Sequence, residues 1–136
     1  MSRPVKPPAA RRRAAERRGR GAEAAAAWLL RLKGYRILAR DLRTPVGEVD
    51  LIVRRGQVLA LVEVKTRATR DQAAAAISPH QRRRIARAGE AFLARRPDLA
   101  GLDVRFDALL LAPGRWPHHV VGAWRVAEGA DDRLSV

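Results

Sequence analysis

Residues 47–67 read GEVDLIVRRGQVLALVEVKTR, and the fold turns on this stretch. Two apolar runs flank Arg55-Gly56-Gln57. A two-residue loop with Gly56 in its first position suits a type II′ hairpin turn. Pairing Arg55 with Val58 and counting outward sets Asp50 against Glu63 and Glu48 against Lys65. Side chains alternate between faces along a strand, so all four polar groups fall on one face, in two adjacent pairs. Two carboxylates placed directly opposite are destabilising unless positive charge lies between them. A divalent cation shared by both acids, with Lys65 beside it, resolves the conflict. Val49, Leu51, Val53, Ala60, Val62 and Val64 are expected on one face, with Ile52, Leu59 and Leu61 on the other. A strand pair apolar on both faces is central in its sheet.

Working outward, GAEAAAAWLLRLK at 21–33 predicts a helix with an apolar face of Ala22, Ala25, Ala26, Leu29 and Leu32, widened by Trp28 and Leu30. Gly34 ends it. Tyr35 to Leu42 reads as a strand, and Thr44-Pro45-Val46-Gly47 as a turn. Strands are expected at about 48–54 and 58–65. Thr66 to Ala76 reads as a loop. A second helix is expected from Pro79 to Arg96, with Ser78 as N-cap, Pro79 in the first turn and Ile85, Ala88, Phe92 and Leu93 as its core stripe. VRFDALLL at 104–111 is a further strand, and 118–126 a last short strand or helical turn. The fold class is α/β, a mixed central sheet flanked by helices. Residues 1–20 form a basic arm, 21–127 the domain and 128–136 a frayed tail.

The chain has 136 residues, with 28 Lys and Arg against 14 Asp and Glu, a net charge of +14. Half of that excess lies in the arm, whose first stretch carries prolines at 4, 7 and 8 and is expected to be flexible. Such a charge implies a polyanionic partner, nucleic acid before an anionic membrane. No apolar run is long enough to span a bilayer and no signal-peptide core follows the basic start, so a cytoplasmic protein is expected. Without cysteine there are no thiolate sites, and His80, His118 and His119 lack zinc-ligand spacing. A bound metal would take oxygen ligands, hence Mg²⁺ or Mn²⁺. Arg82, Arg83, Arg84 and Arg87 crowd the second helix, and Arg67 follows the acidic motif; all five are candidate phosphate contacts. Asp107 is expected to pair with an arginine or cap a turn. The three tryptophans are expected in the core rather than as stacking platforms.

Asp50 followed by Glu63-Val64-Lys65 resembles the PD-(D/E)XK nuclease superfamily, in which an acid on one strand precedes acid-x-lysine on the next. The segments GAEAAAAWLL, GYRILARDLR, GEVDLIV, LVEVKTR, ISPHQRRRIARAGEAFL and VRFDALLL also resemble, in order, the YraN-like family of small bacterial proteins, regarded mostly as uncharacterised or as predicted endonucleases. The resemblance implies a restriction-endonuclease-like core and a metal-dependent endonuclease. Asp50 and Glu63 would be metal ligands, assisted by the Val64 carbonyl, and Lys65 would position the attacking water. Glu23 matches the first-helix acid, which can join the metal shell through water. Glu48 matches the acid preceding the core aspartate. Gln81 stands where relatives often carry lysine, and glutamine there can contact water at the metal or a phosphate. DNA is the expected substrate, branched or structured forms included, and a homodimer would suit cutting two strands. The competing readings are a nucleic-acid-binding protein that keeps the nuclease fold without turnover, and a basic accessory protein of an RNA particle.

Overall fold

The computed structural model describes residues 9–66, 77–112 and 114–125, of which 9–20 are described as helical backbone only. The expected loop at 66–76, Arg67 with it, and the expected C-terminal tail lie outside the described residues apart from Thr66. The arm does so too, except for the helical backbone of 9–20.

The elements run α1 (Ala9–Leu32), β1 (Arg36–Thr44), β2 (Gly47–Arg55), β3 (Val58–Lys65), α2 (Pro79–Ala94), a 3₁₀ turn (Pro97–Leu99), β4 (Asp103–Leu110) and β5 (His118–Trp124). The five strands form one sheet in sequential order. Only β3 and β4 are parallel, and the connection between them carries α2. One apolar cluster unites α2 with the sheet, through Ile85 and Ala88 packed with Ile52, Leu59, Leu61 and Phe106. The other unites α1 with it, through Ala26, Ala27 and Leu30 packed with Leu51, Val53, Ala60 and Val62. The expected α/β class, a mixed sheet flanked by helices, is what forms. The hairpin is buried on both sides because α1 and α2 cover opposite faces.

The turn is as read. Arg55 pairs with Val58, Gly56 has φ +60° and Gln57 does not share the positive φ, which is the type II′ pattern. At the start of α2, Ser78 Oγ accepts from the Gln81 N–H and Gln81 Oε1 accepts from the Ser78 N–H, both at 3.1 Å. That reciprocal capping box fixes the helix start.

Four expectations need correction. Helix α1 does not begin at Gly21; its backbone is helical from Ala9. Its buried stripe is Ala26, Ala27 and Leu30, whereas Ala25 is exposed and Leu32 is 81% exposed. Two periodicities fitted this alanine-rich segment, and the small side chains of Ala26 and Ala27 are the ones that let the helix lie close to the sheet. Trp28 and Trp116 are 63% and 93% exposed, and only Trp124 joins the core. Finally, Val49 packs with Ile52, Leu59 and Leu61, not with Leu51 and Val53. Strand alternation therefore breaks at Asp50. Asp41, which falls against Asp50 between the pairs Arg40–Leu51 and Leu42–Val49, has a left-handed backbone with φ +46°. A left-handed residue in a strand turns the following side chains over, as a bulge does.

Candidate active site

The β2–β3 ladder runs from Arg55–Val58 to Leu51–Val62 and pairs no residue beyond. The next amide on β3 that faces β2, the Val64 N–H, donates instead to Asp50 Oδ2 at 2.7 Å. The aspartate side chain thus stands in for a backbone acceptor at a fork between central strands. Its bond to Val64 restricts the carboxylate to one orientation, the kind of rigid support a catalytic group needs.

Glu63 lies next to it. Burial raises the Glu63 carboxyl to about 9, helped by a hydrogen bond with Asp50 and by the Asp50 charge, while Lys65 opposes the shift. The Asp50 charge beside it thus favours the protonated form of Glu63. No ion pair with a described lysine, arginine or histidine neutralises either one. Lys65 is half-buried, close enough for its charge to act on Glu63.

Glu23 belongs to the same neighbourhood. It lies one turn before Ala26 and Ala27 on the stripe that α1 buries, so the helix aims it at the sheet. Burial raises its carboxyl, and the Asp41 and Asp50 charges add to the rise. Asp41 was not singled out in the sequence, where it lies near the end of the strand expected at 35–42.

Glu48 does not meet Lys65 as the counted register implied. Its carboxylate receives Arg84 Nε at 3.0 Å and Nη2 at 2.8 Å, and that fork holds it below the usual carboxylate range. Gly47 permits the approach, because a Cβ there would sit 1.9 Å from the Arg84 carbonyl oxygen. The Gln81 side-chain carbonyl is taken up by the capping box. Arg82 Nε donates to the Ile77 carbonyl at 3.0 Å and lies over the Trp124 ring, while Arg83 is exposed and Arg87 half-buried. The helix arginines are therefore not one uniform phosphate face: two of them brace the fold.

Among the described residues no three His, Cys, Asp or Glu side chains cluster as a metal-binding group. Two hard carboxylates with a backbone carbonyl nearby still suit Mg²⁺ or Mn²⁺, which keeps several waters and needs only one or two carboxylates. The donor set therefore fits an oxygen-ligated dication held by Asp50 and Glu63.

A second polar centre lies toward the C-terminal end of α1. Asp107 is fully buried, yet its carboxylate accepts from Arg105 at 2.8 and 2.9 Å, from His119 Nε2 at 2.8 Å and from the Gly122 N–H at 3.0 Å. Burial alone would raise its pKa, but these bonds outweigh burial and bring it to about 2. The expected pairing with an arginine is borne out, through a residue two positions away on the same strand face.

Residues 22–111 match the sequence profile described as "Uncharacterised protein family UPF0102". "UPF0102 protein amb4503" of Paramagnetospirillum magneticum is 56% identical over 124 residues, spanning 88% of this chain and 96% of the relative. A UPF0102 protein of Parvibaculum lavamentivorans is 56% identical over 112 residues, spanning 82% of this chain and 84% of its own. One from Methylorubrum extorquens is 52% identical over 124 residues, with 91% and 97% covered. The YraN-like resemblance corresponds to this family.

Proposed function

We propose that this chain, which belongs to the uncharacterised protein family UPF0102, is a Mg²⁺- or Mn²⁺-dependent nuclease of the PD-(D/E)XK type that hydrolyses phosphodiester bonds, in DNA before RNA. The observation that carries the reading is the Asp50–Glu63 dyad at the β2–β3 fork, with the Val64 amide fixing Asp50 and Lys65 beside Glu63. A structural role would leave these acids neutralised by the protein's own cations; among the described residues no ion pair does so.

Asp50 and Glu63 would hold the ion, with Glu23 and the Val64 carbonyl in support. When bound, the ion supplies Lewis-acid polarisation of the phosphate and lowers the pKa of the water that attacks it. Lys65 Nζ orients that water by hydrogen bonding and donates toward the charge that develops on the phosphoryl oxygens. Exposed Arg83, with Arg67 and the basic N-terminal segment, would supply phosphate affinity that weakens with salt and does not read bases. No described helix is long and apolar enough to cross a membrane.

The test compares wild type with Asp50→Ala and Lys65→Ala on linear, nicked, flapped and four-way DNA and on RNA, with Mg²⁺, Mn²⁺ or chelator. The reading expects metal-dependent cutting that both variants lose while binding persists. Binding without turnover in either metal would establish the non-catalytic alternative instead. Equal cleavage by Asp50→Ala would assign the activity to a contaminant.

A further inference from the structure

Lysine occurs only at positions 6, 33 and 65, among 28 Lys and Arg residues. Arginine cannot serve as an amine nucleophile at neutral pH, whereas lysine can once it loses a proton. Lys65 belongs to the candidate active site, and Lys6 lies outside the described residues. Lys33 remains, exposed just past the end of α1.

Its Nζ lies 2.5 Å from Nδ1 of His119. On the other side of the ring, Nε2 meets Asp107 Oδ2 at 2.8 Å. The ionised Asp107 can only accept, so Nε2 carries the hydrogen and Nδ1 is left to accept from Lys33. That tautomer is assigned from the network. The imidazole is almost fully enclosed, its side chain 3% exposed, and Asp107 is locked further by Arg105 and Gly122. Tyr35 packs edge-on against the ring and receives Arg105 at its hydroxyl. Arg55 donates to the Lys33 carbonyl and lies 4.6 Å over the Tyr35 ring, an exposed cation beside the amine. Burial, then Arg55 and Arg105, push the Lys33 ammonium below the ordinary lysine value against the opposing pull of Asp107.

An amine on a base, with the base oriented by a third group, is the arrangement of an activated nucleophile. We propose that Lys33 accepts acyl groups from anionic acyl donors, with His119 as its base, Asp107 positioning His119, and Arg55 binding the donor's phosphate. The Lys33 ammonium gives one proton to His119 Nδ1, and the imidazolium is held by Asp107. The free amine attacks the carbonyl of an acyl phosphate. The C–N bond forms, the C–O bond to phosphorus breaks, and phosphate leaves with that electron pair and the second amine proton. With an acyl thioester of a phosphate-bearing carrier, the departing thiolate takes that proton. The amide product removes a positive charge from this end of the sheet and leaves a single neutral N–H where the ammonium faced His119.

The experiment incubates the full chain, in chelator, with acetyl phosphate or acetyl-coenzyme A and follows acetyl occupancy at Lys6, Lys33 and Lys65 by peptide mass spectrometry. Lys33 should react at least about tenfold faster than Lys6, since general-base assistance is typically worth ~10²-fold or more. The faster of the two donors identifies the source. His119→Gln, which can still donate to Asp107 but offers no base, should abolish the advantage. Exposed Arg55→Gln also removes a push on the Lys33 ammonium, which acts on every donor alike, so it should slow uncharged p-nitrophenyl acetate somewhat and the anionic donors clearly more, and it keeps the test decisive if His119→Gln fails to fold. Lys33 reacting no faster than Lys6, an advantage that survives in urea, or equal slowing of charged and uncharged donors by Arg55→Gln would each overturn the proposal.

Discussion

Replacing Glu63 with glutamine separates the charge of the dyad from its shape. In the folded chain the Glu63 carboxyl titrates near 9, against an ordinary 4.5. Between those values the folded state holds a proton that the unfolded state has released. Stability therefore falls as pH rises across this window, by about 1.4 kcal/mol per pH unit at most. At pH 7 the interval above 4.5 gives an upper figure of about 3 kcal/mol, reduced in practice by relaxation and by water entering the fork. Glutamine has the shape of the protonated acid and needs no proton. Glu63→Gln should thus be more stable than wild type at pH 7, further ahead at pH 8.5 and level with it near pH 4.5. Urea denaturation in chelator at several pH values measures this directly. Manganese should reverse the ranking, because the ion stabilises only the chain that can offer both carboxylates. Equal stability of the two proteins at every pH, or equal stabilisation of both by manganese, would refute a raised Glu63 carboxyl placed to hold a cation with Asp50.

Asp50→Asn keeps an acceptor for the Val64 amide but removes the charge, so it should fold normally and lose manganese binding; titration calorimetry checks both. Asp50→Ala leaves that amide without its acceptor and should cost about 1–3 kcal/mol more in urea denaturation. Asp107→Asn strips the counter-charge from Arg105 and should destabilise by about 3–5 kcal/mol. The depressed Asp107 pKa implies a contribution fully present above 3.8 and lost as pH falls through about 2, so acid titration of wild type should show that loss. Gly47→Ala drives a methyl group into the Arg84 carbonyl, must displace α2 and should lower the melting temperature, at a cost of about 1–3 kcal/mol.

The hairpin was legible because its information is local. Gly56 can take the backbone a type II′ turn needs, and the apolar runs set the register that the ladder follows from Arg55–Val58 to Leu51–Val62. Ser78-Pro79 likewise announced a helix start, although the matching Gln81 was read as a site residue and not as half of a capping box. What could not be read depends on contacts between distant residues. Strict alternation hid the reversal at Asp50, because nothing in the letters around Asp41 says that its backbone turns left-handed. The α1 stripe was displaced because alanine fits a buried or an exposed face equally well. The Lys33–His119–Asp107 chain joins three elements whose spacing follows no local period, so no window of sequence contains it.

The break in alternation bears on function more than the pairing it replaced. In an unbroken ladder the Val64 amide would be satisfied by β2 backbone, and the Asp50 carboxylate would have no fixed partner. The reversal removes that backbone acceptor and makes the side chain supply it. One oxygen of Asp50 is thereby committed, and its position is set by the sheet itself rather than by side-chain packing. Glu63, whose carboxyl is raised by burial and by Asp50, lies beside it, and the Asp50 charge also raises Glu23 on α1. Bringing these acids together costs stability at neutral pH, and no described ion pair relieves it. A purely structural fork would be better served by an amide or hydroxyl at position 50 and an apolar residue at position 63. On the proposed reading, carboxyl groups at both positions gain their advantage when a cation occupies the space between them, so the destabilisation is what a binding role would require.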